Sequence, residues 1–247
     1  MLPIARTTFT AAAIALLSAC QMETGTSPID FAALQSDRFV RTQTIVETCR
    51  ASECSRLNLD SGYLENYSTV ADMTHVTAFM ASFTGFDTLS DIAAMTQLRE
   101  LHIGQTAVTD LSGLSNFPNL TLLHAQQTQA TDFAAVGQLT QLEELVIGNS
   151  DLTDLAFVRG LSRLKSLNID GSNVTDLSPL AGLRSLESLD MMNMDMPADL
   201  SPLLRLRSLK TVSTSNWDLP TPQQQSVIDQ LKARGVEFTN QVIMVAC

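Results

Sequence analysis

Two of the three histidines are the side chains best placed for chemistry. His102 and His124 are 22 residues apart, and Glu100 and Glu144 are the nearest carboxylates in a comparable arrangement. Imidazole and carboxylate groups are zinc ligands, and imidazole titrates close to neutral pH. The pair is therefore compatible with a metal ion or a pH-sensitive site. The simpler interpretation, which we favour, is that two polar residues line a binding surface.

A column of polar residues recurs once per 22 residues. Its members are Asn66, Thr88, Asp110, Asp132, Asp154, Asp176 and, one residue later than the interval, Asp199. A row of carboxylates is compatible with calcium binding or catalysis, but all these residue types also accept hydrogen bonds from backbone amides at the start of a helical turn. Capping explains both the types and the spacing, so we predict a structural role.

Sequence motifs of the common enzyme and cofactor sites are missing. The chain has no Gly-rich phosphate loop, GxSxG elbow, HExxH, CxxC or EF-hand pattern. Its net charge of −11 argues against a nucleic-acid partner, because phosphate binding needs clustered Lys and Arg. We therefore predict neither catalytic residues nor a cofactor.

The element that must position the histidines is a repeat. The clearest copies begin at Leu98, Leu120, Leu142 and Leu164. Each copy contains an alternating segment, in which residues such as Leu101 point inward and their neighbours point outward from one short strand. A single coil cannot bury its apolar side, so a fixed interval of this kind predicts a solenoid of stacked coils. Degenerate copies before and after extend the predicted solenoid over residues 54–219.

The repeated pattern LxxLxIxxTxVTDLSxLxxLxx resembles the leucine-rich repeat in its 22-residue, internalin-type form. The resemblance implies an α/β fold: a right-handed solenoid or horseshoe with a parallel concave sheet and terminal caps, which binds a protein rather than acting as an enzyme. One column departs from the family, which has Asn there: Thr84, Thr106, Thr128, Ser150 and Ser172. We expect these hydroxyls to bind backbone groups between adjacent coils.

The outward-pointing strand residues form the predicted contact surface, here called the concave face. Its centre consists of Glu100, His102, Leu122, His124, Gln126, Glu144 and Val146. Exposed Leu122 and Val146 beside polar side chains suit contact with a protein partner. The alternative is an ordinary mixed surface that faces solvent. We expect the protein to be a monomer.

The N-terminus is typical of an exported protein. Residues 1–19 have a positive end at Arg6 and an apolar run, and the Leu-Ser-Ala-Cys sequence that ends at Cys20 resembles a bacterial lipobox. The resemblance implies lipidation of Cys20 by fatty acids such as palmitate and anchoring to a membrane of the cell envelope. Gln21 favours the outer over the inner membrane. An ordinary signal peptide with an incidental Cys is the alternative, whereas a retained helix this short would not span about 30 Å of hydrocarbon.

The segments that flank the solenoid are predicted to be a tether and two caps. Residues 20–28 form the tether, and residues 29–53 form an N-terminal cap with a small helix and a strand over Phe39–Val46. Cys49 and Cys54 suit a small disulfide loop, with a buried Cys54 thiol as the alternative.

Residues 220–247 are predicted to form the C-terminal cap. This cap contains a helix from Thr221 to Arg234, followed by extended segments at 236–238 and 242–245. Cys247 lies at the far end of the chain from the other cysteines, too far for a bridge within the molecule.

Overall fold

The computed structural model describes residues 31–215, 217 and 219–240. The predicted signal peptide, Cys20, the tether, segment 242–245 and Cys247 lie outside this range. The chain divides into two compact units, Met1–Leu34 and Gln35–Cys247. Of the first unit only the beginning of a helix is described, and the sheet belongs to the second. No helix within the described ranges is both long and apolar enough to cross a membrane.

The described part of the second unit is organised around a parallel sheet in which strand order follows chain order. The strands are β1 (Arg56–Asn58), β2 (Ala78–Met80), β3 (Glu100–His102), β4 (Leu122–His124), β5 (Glu144–Val146), β6 (Ser166–Asn168), β7 (Ser188–Met191), β8 (Thr211–Thr214) and β9 (Glu237–Asn240). Each residue of β1 to β6 pairs with the residue 22 positions later, and the step from β7 to β8 is 23 because of one extra residue. Equivalent side chains of successive coils therefore form straight rows.

The core is built from these rows. Leu101, Leu123, Leu145 and Leu167 lie side by side in register, and each is at most 1% exposed. Burying a leucine side chain contributes about 2 kcal/mol, and each leucine contacts equivalents in the coils on both sides. The predicted common interior of a solenoid is confirmed.

The second half of each coil contains a short 3₁₀ helix. These helices are η1 (Tyr67–Val70), η2 (Leu89–Ile92), η3 (Ser112–Asn116), η4 (Ala134–Gln138), η5 (Ala156–Gly160), η6 (Ser178–Gly182) and η7 (Ser201–Arg205). The Asp110 carboxylate accepts hydrogen bonds from the amide and the hydroxyl of Ser112, at 2.7 and 2.9 Å. These bonds hold the pKa of Asp110 below its usual value. The other aspartates of the column make the same amide bond, so the capping prediction is confirmed.

The threonine column behaves differently from the prediction. The Thr106 hydroxyl donates to the Ile103 carbonyl at 2.6 Å and the Thr128 hydroxyl to the Ala125 carbonyl at 3.1 Å, both within their own coil. The expected bonds between coils are therefore absent from these two residues, and that prediction was wrong. The carbonyls of the adjacent coil already accept hydrogen bonds from backbone amides. Each of these hydroxyls therefore donates to the carbonyl three residues earlier in its own coil.

In each of the seven coils of β1 to β7, one residue two or three positions after the strand has a left-handed backbone. These corner residues are Ser61, Phe83, Gln105, Gln127, Asn149, Gly171 and Asn193, with φ between +53° and +62°. Their amides bond to the next coil, as Gln105 does to the Gln126 carbonyl at 2.9 Å. A left-handed residue other than Gly is strained by about 1–2 kcal/mol. Phe83 is the bulkiest of the set and is 53% exposed.

The N-terminal cap is a single helix, α1 (Phe31–Ser52), and it contains the Phe39–Val46 segment that was predicted to be a strand. That prediction was wrong, because contacts with the first coil decide the conformation rather than β-branched content. Thr42, Val46 and Cys49 lie at helical spacing and are buried. The Thr42 hydroxyl also accepts the Tyr63 amide at 3.0 Å, which joins α1 to the solenoid.

Two further links join α1 to the first coil. The sulfurs of Cys49 and Cys54 are bonded, and their Cα atoms are 4.8 Å apart. The Arg50 guanidinium binds the Asp72 carboxylate at 3.1 Å and the Thr69 carbonyl at 2.6 Å. The end of the helix is thereby held against the segment before β1 and against η1 with the loop that follows it.

The C-terminal cap follows the prediction closely. Helix α2 (Pro222–Ala233) begins after Thr221, whose side chain forms a capping box with Gln224. The chain leaves the helix through Gly235, whose φ of +88° favours glycine. Trp217 fills the end of the core at 7% exposed, and its indole N–H donates to the Met194 carbonyl at 3.3 Å. The segment predicted only as extended forms β9 and pairs with β8.

Candidate functional site: the concave face

Three adjacent strands bring most of the predicted contact residues together. Glu100, Leu122 and Glu144 form one row across β3, β4 and β5, and His102, His124 and Val146 form the next. Gln126 follows β4 by two residues and lies beside His124 on the same face. The seven residues named from the sequence therefore form one continuous surface.

The two histidines are in contact at the centre of this surface. Their ring centroids are 4.5 Å apart in an edge-to-face arrangement. His124 Nε2 lies 2.6 Å from Glu144 Oε1, whereas the buried His102 Nε2 has no partner. Burial, and next the proximity of His124, lower the pKa of His102. Both effects favour the neutral form of His102, in which one ring nitrogen accepts and the other donates a hydrogen bond.

The carboxylate of Glu100 is engaged in an ion pair and is not free to bind a metal ion. Its carboxylate pairs with the Arg56 guanidinium at 2.7 Å, across the intervening strand β2. Ala78 lies between them in the same row, and its small side chain leaves room for the pair. Across the described part of the chain, no group of three or more His, Cys, Asp or Glu side chains is arranged to hold a metal ion. Arg56 was not among the predicted residues, although its position in the row of Glu100 could have indicated it.

The apolar residues of the concave face are less accessible than expected. Leu122 and Val146 are half-buried, not exposed, because longer side chains flank them in their rows. The large apolar side chains of the described second unit that are clearly exposed lie elsewhere: Val40, Ile45, Tyr63, Phe83 and Leu219. The concave face is therefore more polar than the sequence suggested.

The Gln126 amide lies flat against Gly104 in the adjacent coil. A Cβ atom placed on Gly104 would be 2.6 Å from the Gln126 Cδ, so a larger residue at this position would displace the Gln126 side chain. Gln126 Oε1 is buried and has no hydrogen-bond partner. This is a second polar atom, after His102 Nε2, whose hydrogen-bonding capacity the protein leaves unused.

Sequence reasoning left the acidic part of this face, on β6 and β7, out of the contact surface. Asn168 donates its side-chain amide to Asp190 at 3.0 Å, and Asn149 donates to Asp170 at 2.6 Å. Burial, followed by the charge of Asp190, raises the pKa of Asp170. The rows that contain His102 and Gln126 also contain these aspartates. Their position in the repeat could therefore have indicated them from the sequence.

Comparisons with known proteins agree on the fold. No family model matches the chain, and no curated protein matches it. Among solved structures, internalin C2 of Listeria monocytogenes is 30% identical, with a TM-score of 0.58 over 60% of this chain and 66% of its own. Internalin F of the same organism is 19% identical, with a TM-score of 0.65 over 86% of this chain and 64% of its own.

A third similar structure is the Arabidopsis receptor kinase HAESA, solved in complex with the peptide hormone IDA and the co-receptor SERK1. It is 20% identical, with a TM-score of 0.58 over 78% of this chain and 35% of its own. The chain thus spans less than two thirds of the length of each of these three structures.

The rows of leucines, the parallel sheet and the 3₁₀ turns define a solenoid of stacked coils. The structural neighbours agree with this architecture, so the chain has an α/β fold of the leucine-rich repeat type.

Proposed function

We propose that this protein is a non-enzymatic lipoprotein of the bacterial cell envelope, built of internalin-type 22-residue repeats, that binds a protein partner on its concave face. The observation that carries the proposal is the shared surface of β3, β4 and β5. There, Leu122 and Val146 lie among polar side chains whose hydrogen-bonding capacity is not fully used. Such a mixture of apolar and polar groups is typical of protein interfaces. The complex of HAESA with a peptide and a co-receptor supports a role in protein recognition.

Alanine substitution of His102, Leu122 and His124 together is expected to reduce partner recovery at least about tenfold, because a few central side chains carry most of the energy of an interface. The measurement is crosslinked affinity capture from intact cells, with the lipidated protein as bait. The matched control replaces Ser115, Gln138 and Arg159, exposed residues in the 3₁₀ helices of the coils that contain β3, β4 and β5.

The competing function is a structural scaffold that acts through other surfaces. The exposed apolar side chains outside the concave face favour this alternative. Equal recovery of partners by the concave variant and the wild type would support the scaffold and reject concave recognition.

The lipid anchor rests on the lipobox-like sequence that ends at Cys20. Cys20→Ala is expected to release the protein from the membrane into the soluble fraction, because the variant has no thiol to acylate. Fractionation of cells with labelled palmitate measures both effects. Retention of the unlabelled variant in the membrane would contradict the anchor. Separation of inner from outer membranes tests the outer-membrane location that Gln21 favours.

A further inference from the structure

The concave face contains several hydrogen-bond acceptors whose capacity is not fully used. Gln126 Oε1 and His102 Nε2 have no partner. The carboxylates of Glu144, Asp170 and Asp190 add oxygens that can each accept more than one hydrogen bond. These acceptors extend from β3 to β7 along one face of the sheet.

Three strong donors on the same face are already used. The Arg56 guanidinium binds Glu100, and the side-chain amides of Asn149 and Asn168 donate to Asp170 and Asp190. A partner that supplies mainly acceptors would therefore leave the carboxylates desolvated and unpaired, which is unfavourable.

The charges of the face are equally unbalanced. Lys165 and Lys210 each precede a strand by one residue, but they bind Glu143 and Glu187, at 2.7 and 2.5 Å. Asp170 and Asp190 bind neutral amides instead, and each raises the negative potential around the other. No Lys or Arg ion pair is formed by either aspartate in the described residues.

We propose that the partner presents an arginine-bearing segment to the concave face, with guanidinium groups at Asp170 and Asp190 and a backbone or side-chain donor at Gln126. This inference rests on the proposed function and specifies its partner. Arginine fits better than lysine because its planar group has five donors and no acceptor, and binds carboxylates in a bidentate manner. The Gln126 side chain is partly exposed as a whole, so its amide can rotate towards an incoming donor.

The test uses a short synthetic peptide of alternating arginine and serine, with lysine and citrulline counterparts of equal length. Binding is measured by calorimetry, and contacts are mapped by amide resonances of the labelled protein. The arginine peptide is expected to bind more tightly than the lysine peptide, and citrulline is expected to abolish binding because it removes the charge. Affected amides should lie on β4 to β7.

The double substitution Asp170→Asn with Asp190→Asn is expected to weaken binding of the arginine peptide about tenfold. The variant should remain folded, because an amide oxygen still accepts the Asn149 and Asn168 donations. Because burial disfavours the charged form of Asp170, the unfolding transition of the double variant should not move to a lower denaturant concentration than that of the wild type. Asp151→Asn with Asp195→Asn is the charge-matched control, since both residues are exposed and lie outside the concave rows.

Equal weakening by the two double variants would show that only net charge attracts the peptide, and would overturn the proposal. Calcium ions alone that shift the same resonances and block the peptide would overturn it as well. If no arginine peptide binds while the triple alanine variant still loses its cellular partner, the arginine segment is rejected and concave recognition stands.

Discussion

Leu123→Ala is expected to lower the free energy of unfolding by about 3 kcal/mol. The Leu123 side chain has 0% exposure and lies between Leu101 and Leu145 in the central row of the core. Its neighbours belong to a repeating backbone that cannot collapse into the cavity without shifting the adjacent coils, so the loss falls in the middle of the range known for buried leucines. Urea denaturation followed by circular dichroism measures the change.

The adjacent residue provides the control. Leu122 is also a leucine and lies on the same strand, but its side chain points to the concave face and is half-buried. Leu122→Ala is expected to cost less than about 1 kcal/mol, since less apolar surface is removed from contact. Equal losses at the two positions would contradict the assignment of faces on which the proposed contact surface depends.

Trp217→Ala is expected to destabilise the C-terminal end of the solenoid by about 3–5 kcal/mol, the usual cost of removing a buried tryptophan. The ring closes the core beyond β8, and its N–H bond to the Met194 carbonyl is lost with it. Because coils contact mainly their neighbours, the damage should be local. Hydrogen exchange should accelerate in β8, α2 and β9 far more than in β3 and β4.

Leu219 is the matched control for this end of the molecule, since it is two residues away and 95% exposed. Leu219→Ala should change stability by no more than about 0.5 kcal/mol. Uniform acceleration of exchange along the whole sheet in Trp217→Ala would contradict local capping, and would indicate that the coils unfold as one unit.

The solenoid could be predicted because each coil buries the same positions of its sequence. An apolar residue at the Leu101 position is buried for the same reason as one at the Leu123 position, so evidence accumulates over the copies and the register follows. The aspartate caps were predictable for a similar reason, because a short local bond from a side chain to an amide needs only neighbouring residues. Helix α1 has no such repetition, and its β-branched residues indicated a strand. Its helical conformation depends on the burial of Thr42 and Val46 against the first coil, which the local sequence does not show.

The composition of the concave face was predictable, but its pairings were not. The sequence placed His102 beside His124, yet it could not show that His124 binds Glu144 while His102 Nε2 stays unpaired. Such choices depend on side-chain rotamers and on accessibility. The same limit explains why Leu122 and Val146 were expected to be exposed, since the reach of the flanking side chains is a property of the folded surface.

The left-handed corner of each coil offers a reserve of stability for engineering. Six of the seven corner residues carry a side chain where glycine would relax the backbone, and they belong to neither the leucine core nor the strand rows. Glycine at Phe83 or Gln105 would reduce this stored tension, partly offset by greater freedom in the denatured chain. Variants of higher stability for crystallisation or display could therefore be built without altering the proposed contact surface.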